Sequence, residues 1–274
     1  MDKRTDLQIA HEAAVKGSSV IKHYAGNRDQ LDIELKGRHD LVTQADVETE
    51  QKIVEVIHQY CPDDVILGEE TAADQKLTDA RTWIIDPIDG TTNFAHAFPV
   101  FCISIALWEN KEPKAAVIFE INSGEVFTAE KGGGAFLNGK LLRISEVSRP
   151  ENALLGTGFP YRDLEIIDDY LTLLKCFMKE THGVRRPGSA AYDLACGAAG
   201  RLDGFYEYAL SPWDVAAGVL LIQEAGGKVT DWNGGNEWLF GKRIICGNEA
   251  ITKYLLDRIK TYIPAELRQS KPIS

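Results

Sequence analysis

The segment Trp83-Ile84-Ile85-Asp86-Pro87-Ile88-Asp89-Gly90-Thr91-Thr92-Asn93-Phe94 concentrates more chemistry than any other stretch of the chain. Its apolar start, Trp83–Ile85, reads as a buried strand running directly into two aspartates. Ligands gather where the strands of α/β sheets end, so Asp86 and Asp89 stand where a ligand would be presented. Pro87 stiffens the turn, and Gly90 lets backbone N–H groups approach a ligand closely. Thr91 and Thr92 add hydroxyls, and the residues after them can open a helix whose N-terminus attracts an anion. Two carboxylates and several donors in one turn suit a hard cation bridged to a phosphate. The same residues also read as a turn held by Asx and capping hydrogen bonds.

Three other segments bear on that choice. Gly68-Glu69-Glu70 follows the apolar run Val65–Leu67, placing another acid pair at another strand end. Trp213-Asp214 opens the apolar helix Val215–Ile222, and Thr43-Gln44-Ala45-Asp46 opens a second predicted helix. Each has an ordinary explanation: a solvated turn, an N-cap at Asp214, a favourable charge against the helix dipole at Asp46. Together they offer the supply of carboxylates that a site for two or three metal ions requires.

Other hydrolytic chemistries fit less well. A covalent aspartyl-phosphate enzyme places its second Asp two residues after the first, whereas Asp86 and Asp89 are three apart. No G-x-x-x-x-G-K-[ST] loop, G-x-S-x-G elbow or H-E-x-x-H pair is present. The six histidines lack metal-binding spacing and read as surface residues, with His96 alone near the motif. Five cysteines, odd in number and without a CxxC pair, read as buried reduced thiols rather than disulfides or a zinc site. Water activated by metal is therefore the favoured nucleophile.

The elements that must position these acids follow from periodicity. Residues 5–24 and Thr43–Tyr60 carry helical spacing, the first behind a Thr5/Gln8 capping box and the second stopped by Pro62. Ile33–Lys36 between them is a short strand or arm. From residue 65 the chain turns to strands at Val65–Leu67, Trp83–Ile85, Val100–Trp108, Ala115–Ile121 and Glu125–Ala129. That pattern predicts an antiparallel meander with helices on one side. After residue 150 strands at 154–157, 183–185, 204–208, 228–230 and 244–246 alternate with helices near 165–180, 189–199, 214–225 and 249–262. The tail beyond Pro264 is polar and is expected to fray.

The chain has 274 residues, 44% of them apolar and 26% charged, the balance of a globular protein rather than a disordered one. Its formal charge of −11 argues against nucleic acid or an anionic membrane as partner. A single phosphate remains admissible if cations stand between it and the carboxylates. The charged, amphipathic N-terminus lacks the apolar core of a signal peptide, and Val215–Ile222 is too short to span a membrane. A cytoplasmic location is the expectation.

The motifs Gly-Glu-Glu at 68–70, Asp-Pro-Ile-Asp-Gly-Thr-Thr-Asn-Phe at 86–94, Trp-Asp at 213–214 and Glu-Ala-Gly-Gly at 224–227 resemble the inositol monophosphatase family. That family belongs to the magnesium-dependent, lithium-sensitive sugar phosphatases. The resemblance extends to Asp40-Leu41-Val42-Thr43 with Asp46 and to Gly188-Ser189-Ala190-Ala191, so it covers almost the whole chain. It implies an α+β / α/β fold, a layered α-β-α-β-α sandwich. It also implies one compact unit over 1–274, with an α+β half to about residue 150, an α/β half after it, and a homodimer.

Carried over position by position, the resemblance implies that Glu69, Asp86 and the Ile88 carbonyl hold a first Mg²⁺. Asp86, Asp89 and Asp214 would hold a second, and Glu69 would help place a third. Thr91 with Asp46 would orient and deprotonate the attacking water, with Glu69 also implicated. Gly90 and Thr91 would donate to the phosphate, Ser189, Ala190 and Glu207 would contact the sugar, and Gly188 would form the turn leading to them. Glu69, Ile88, Asp89 and Asp214 would border the substrate as well. The implied reaction is hydrolysis of a small phosphorylated polyol or sugar, inositol 1-phosphate first, without a covalent intermediate. Fructose 1,6-bisphosphate, NADP and 3′-phosphoadenosine 5′-phosphate are alternatives on the same metal core. A second phosphate would call for basic residues, and Arg185, Arg186 and Lys36 are at hand, although the arginine pair also reads as solvated or as a dimer contact. An inactive metal-binding scaffold is the alternative of another class; it would lack an acid or the threonine, and none is missing.

Overall fold

A computed structural model describes residues 4–27, 33–37, 40–71, 76–161 and 164–269, and side chains 33–42 lie outside that description. The candidate Lys36 therefore falls outside the described side chains.

The chain opens with α1 (Asp6–Gly26), whose N-terminal N–H groups are met by the predicted Thr5/Gln8 capping box. The arm β1 (Ile33–Gly37) and β2 (Asp40–Thr43) pairs antiparallel and leads into α2 (Gln44–Tyr60). Next come β3 (Val65–Gly68) and β4 (Thr82–Asp89), the one-turn helix α3 (Thr91–Ala95), and β5 (Cys102–Glu109). The strands β6 (Glu112–Glu120), β7 (Glu125–Glu130), β8 (Gly134–Leu137) and β9 (Lys140–Leu141) complete a seven-stranded sheet in sequential order. β3 and β4 run parallel, and every later neighbour pair runs antiparallel.

The second half builds β10 (Leu154–Thr157), α4 (Ile167–Glu180), β11 (Gly183–Arg185), α5 (Ala190–Ala198) and β12 (Gly204–Tyr208). It continues with α6 (Pro212–Glu224), β13 (Lys228–Thr230), β14 (Arg243–Gly247) and α7 (Glu249–Tyr262). Its five strands are ordered β11-β10-β12-β14-β13, parallel around β10 and antiparallel around β14.

Strand periodicity assigns the faces of the large sheet. Trp83, Ile85, Ile103, Ile105 and Val117 point to one side and pack on α1 and α2. Ile84, Cys102, Ala106, Ala116 and Ile118 point to the other, against α5 and α6. Helices thus cover both faces, not the one expected, because α5 and α6 from the second half fill the far side. Their outer surfaces in turn meet Phe205, Ile244 and Cys246 of the smaller sheet. A helix between two sheets has no wet side, which is why α6 is apolar all round. Gly218 sets the α5–α6 distance, since a Cβ there would fall 2.4 Å from Leu194 Cβ. α4 and α7 close the outer face over Leu155, Tyr206 and Ile245. The result is the α-β-α-β-α layering.

Residues 264–269 do not fray. Buried Arg243 lies over the Tyr208 ring and donates from Nε to the Leu267 carbonyl at 2.8 Å. The need to satisfy a buried guanidinium holds a segment that polarity alone leaves unassigned. The five cysteines are free thiols, four of them buried. Among the described residues no helix is long and apolar enough to cross a membrane.

Candidate active site

The site is built on the end of β4. Asp86 pairs with Ser104 and Asp89 with Cys102, so three steps along β4 match two along β5. This bulge absorbs the odd residue and brings both aspartates onto the face that looks toward α5 and α6. A spacing of three would otherwise put them on opposite faces. Inside the turn the Ile88 N–H donates to Asp86 Oδ1 at 3.0 Å. Gly90 follows at φ +100°, and a Cβ there would lie 3.0 Å from the Val100 carbonyl, so both conformation and space require glycine. Asn93, a motif residue to which the sequence reading gave no role, donates from Nδ2 to the Val100 and Pro187 carbonyls at 2.8 and 2.9 Å. It ties α3 to the turn that carries Gly188.

Two helix starts deliver further acids. Asp46 and Asp214 each occupy the third position of their helix, reciprocally capped with Thr43 and Ser211. Asp214 is therefore not itself the N-cap. α6 begins two residues earlier, at Pro212, with Ser211 as cap. Asp46 Oδ2 accepts from the Thr43 N–H at 2.8 Å, and its Oδ1 accepts from the Thr91 hydroxyl at 3.1 Å. The Thr91 hydroxyl also lies 3.0 Å from the Ile88 carbonyl. Ser104 Oγ donates to the Trp213 carbonyl at 3.2 Å and fastens the start of α6 to the sheet.

Asp86, Asp89 and Asp214 thereby bring carboxylate oxygens within 4.8 Å of one another. Around them lies a cavity of about 480 Å³. Every residue expected to serve the metal ions, the attacking water, the phosphate or the sugar reaches it except Asp46, which sits directly behind Thr91. Glu69 stands on its wall, and the Glu69 N–H extends the β3–β4 ladder by donating to the Ile85 carbonyl at 3.2 Å. Ser189 meets the cavity with a committed side chain, because its hydroxyl donates to Asp89 Oδ2 at 2.7 Å.

Opposite the acids, Glu207 packs so tightly on Gly158 that a Cβ there would fall 1.7 Å from the carboxylate. Arg186 reaches the cavity with its guanidinium 5.6 Å from the Phe159 ring centre and 5.3 Å from that of Tyr161. Arg185 is exposed and does not line the cavity, so of the two arginines one points at the site. The sequence reading missed Asp193, Gly158, Phe159 and Tyr161. Asp193 on α5 is buried at the cavity, and its Oδ1 has no hydrogen-bond partner. The available signal was an acid in the otherwise apolar helix AAYDLACGA. The aromatic pair follows β10 with no local signature.

The electrostatics are those of crowded anions. Burial, then repulsion from Glu69, Asp89, Asp214 and Asp46, pushes Asp86 well above the usual carboxylate range. Burial also raises Asp89, against the pull of the Ser189 hydroxyl and backbone N–H groups at the start of α5. Asp46 is raised to about 6, chiefly by burial, with Thr43 and Thr91 opposing and Glu70 adding to the rise. Buried carboxylates that repel one another and offer only oxygen donors, backbone carbonyl included, suit a hard divalent cation.

Residues 2–264 match the model of the inositol monophosphatase family. The chain is 43% identical over 260 residues to an inositol-1-monophosphatase of Rhizobium meliloti, covering 95% of this chain and 98% of the relative. It is 42% identical over 267 residues to the Nus factor SuhB of Pseudomonas aeruginosa, covering 96% and 98%. Its fold is similar to the crystal structure of the extragenic suppressor protein suhB from Bartonella henselae, with a TM-score of 0.88, 40% identity and coverage of 93% and 98%. The family match, the layered fold and the carboxylate cluster agree: the chain belongs to the inositol monophosphatase family, metal-dependent phosphatases of small phosphorylated substrates.

Proposed function

We propose that the protein hydrolyses a small polyol phosphate, inositol 1-phosphate first among candidates, in a Mg²⁺-dependent reaction with water as direct nucleophile. The observation that carries this reading is the convergence of Asp86, Asp89 and Asp214 beside the Thr91–Asp46 pair in one cavity. Glu69, Asp86 and the Ile88 carbonyl would hold one cation, and Asp86, Asp89 and Asp214 a second, with Glu69 helping to place a third. When bound, such ions neutralise phosphate oxygens and acidify water.

The chain's own groups do the rest. A threonine hydroxyl is too weak a base alone, so the carboxylate behind it matters. As the attacking water loses its proton to Thr91 Oγ1, that hydroxyl passes its own proton to Asp46 Oδ1. Glu69 stands on the cavity wall as a further acceptor. The backbone N–H groups of Gly90 and Thr91 at the start of α3 would orient the phosphate. Glu207 and the Ala190 backbone would read the polyol hydroxyls, while Ser189 acts on Asp89. The same reading includes one folding unit over 1–274, homodimeric assembly and a cytoplasmic location.

The relatives named Nus factor support a second reading, a scaffold that works by binding a partner. The complete acid set and the Thr91–Asp46 contact favour catalysis over a scaffold role alone. Phosphate release, with and without Mg²⁺, from inositol 1-phosphate, fructose 1,6-bisphosphate, NADP and 3′-phosphoadenosine 5′-phosphate is the deciding assay. Fastest Mg²⁺-dependent release from inositol 1-phosphate, inhibited by Li⁺, is expected. No release from any of the four at any Mg²⁺ level would overturn the enzyme reading.

A further inference from the structure

α2 carries two fully buried acids one turn apart, Asp46 and Glu50. Asp46 is accounted for by Thr91. Glu50 does not reach the cavity, and the reaction above makes no use of it. Burying a carboxylate is costly unless its oxygens are hydrogen-bonded, so its partners show what it is for. Glu50 Oε2 accepts from the Glu70 N–H at 2.9 Å, and Oε1 accepts from the Thr71 N–H at 2.9 Å and from the Thr71 hydroxyl. All three donors belong to the turn immediately after Glu69.

Gly68 shows how closely carboxylate and turn fit. A Cβ at that position would lie 2.6 Å from the Glu50 carboxyl carbon, so only glycine lets the carboxylate pass under the turn. Glu69 is thus gripped on both sides. Its own N–H is fixed to the Ile85 carbonyl of β4, and the two peptides beyond it are fixed to Glu50 on α2.

We propose that Glu50 is a positioning residue: it sets where the Glu69 carboxylate stands relative to Asp86, without touching substrate or cation. The same helix, four residues earlier, sets Thr91 through Asp46, so α2 is the common mount of the water-activating pair and the Glu69 turn. This proposal rests on the assignment of Glu69 as a cation ligand.

The test is direct cation binding without substrate, read by Mn²⁺ titration with electron paramagnetic resonance, beside Mg²⁺-dependence of turnover. In Glu50→Gln the side chain keeps its size but sets an NH₂ against N–H donors, releasing part of the turn. Mn²⁺ affinity is expected to fall about tenfold or more, the usual effect of removing a group that orients a metal ligand. The Mg²⁺ needed for half-maximal rate should rise in parallel, with kcat at saturating Mg²⁺ within about threefold of the parent. A purely structural role would lower the melting temperature and leave the Mn²⁺ affinity of the folded protein unmoved, and that result overturns the proposal. If Glu50→Gln does not fold, Thr71→Val removes one donor from the turn side. It should weaken Mn²⁺ binding in the same direction, and unchanged affinity there also overturns the proposal. Glu69→Ala separates the two claims. Weaker Mn²⁺ binding in Glu69→Ala but not in folded Glu50→Gln defeats the positioning role alone, whereas unchanged binding in Glu69→Ala defeats the ligand assignment beneath it.

Discussion

The carboxylate of Asp89, at the end of β4, is bound by Ser189, the N-cap of α5: Ser189 Oγ donates to Asp89 Oδ2 at 2.7 Å, and the Ala191 N–H joins it at 2.6 Å. An acid from the first half of the chain therefore caps the start of a helix from the second. The helix dipole and its unpaired N–H groups offset part of the cost of burying that charge. One oxygen is held in place, and Asp89 still contributes a carboxylate oxygen to the cluster with Asp86 and Asp214.

Asp89→Asn should separate these two duties. The amide oxygen can keep accepting from Ser189 and Ala191, so the fold should persist by circular dichroism. Turnover of inositol 1-phosphate should fall at least about a hundredfold, since even outer partners of metal sites are worth 10–100-fold. Near-normal turnover in a folded variant would remove Asp89 from the ligand set.

The Thr91–Asp46 pair predicts a pH dependence. Asp46 is raised to about 6, chiefly by burial. A raised carboxyl is protonated below that value and able to receive a proton only above it. At saturating Mg²⁺, kcat/KM should therefore decline as pH falls through about 6. Asp46→Asn should lose that acidic limb and lower kcat by about 10²–10⁴-fold, the range for a general base. An unaltered limb in Asp46→Asn would show that another group produces it.

Crowded carboxylates should make stability depend on cation. Removing divalent ions with EDTA should abolish activity and lower the melting temperature, and Mg²⁺ should restore both. A site at a hundred times its Kd adds about 2.7 kcal/mol to the folded state. Asp86→Asn relieves the repulsion from Glu69, Asp89 and Asp214. It should melt higher than the parent in EDTA and gain little from Mg²⁺. A Mg²⁺-induced shift in Asp86→Asn equal to the parent's would speak against Asp86 as a ligand.

The C-terminal segment makes a structural prediction. Deleting residues 265–274 removes the Leu267 carbonyl that accepts from Arg243 Nε. Leaving a buried charged donor short of a partner costs about 1–3 kcal/mol. Urea unfolding should show a loss of that size, and Arg243→Met in the truncated chain should recover part of it.

Much of the site follows from interactions within four residues. The strand leading into Asp86, the Pro87 turn, the conformational demand on Gly90 and the caps that place Asp46 and Asp214 at third helical positions all depend on neighbours in sequence. Those features were therefore readable from residue order, even where Asp214 itself passed for the cap. Other relationships depend on packing between segments far apart. The β-bulge that turns Asp89 to the same face as Asp86 needs β5 as a partner. The second helical layer on the large sheet needs α5 and α6, and Arg243 needs the tail. Asp193, Phe159 and Tyr161 reach the cavity only because α5 and the end of β10 lie across it from β4.

By itself the sequence determined which acids exist, which turns and helix starts carry them, and the family to which they belong, because local backbone chemistry decides those matters. Tertiary structure alone decided that Asp89 caps the start of α5, that Glu50 grips the Glu69 turn, and that of Arg185 and Arg186 only the latter faces the cavity. Hydrogen bonds spanning about a hundred residues arise only after the two sheets and the helices between them have packed, and no spacing rule contains them.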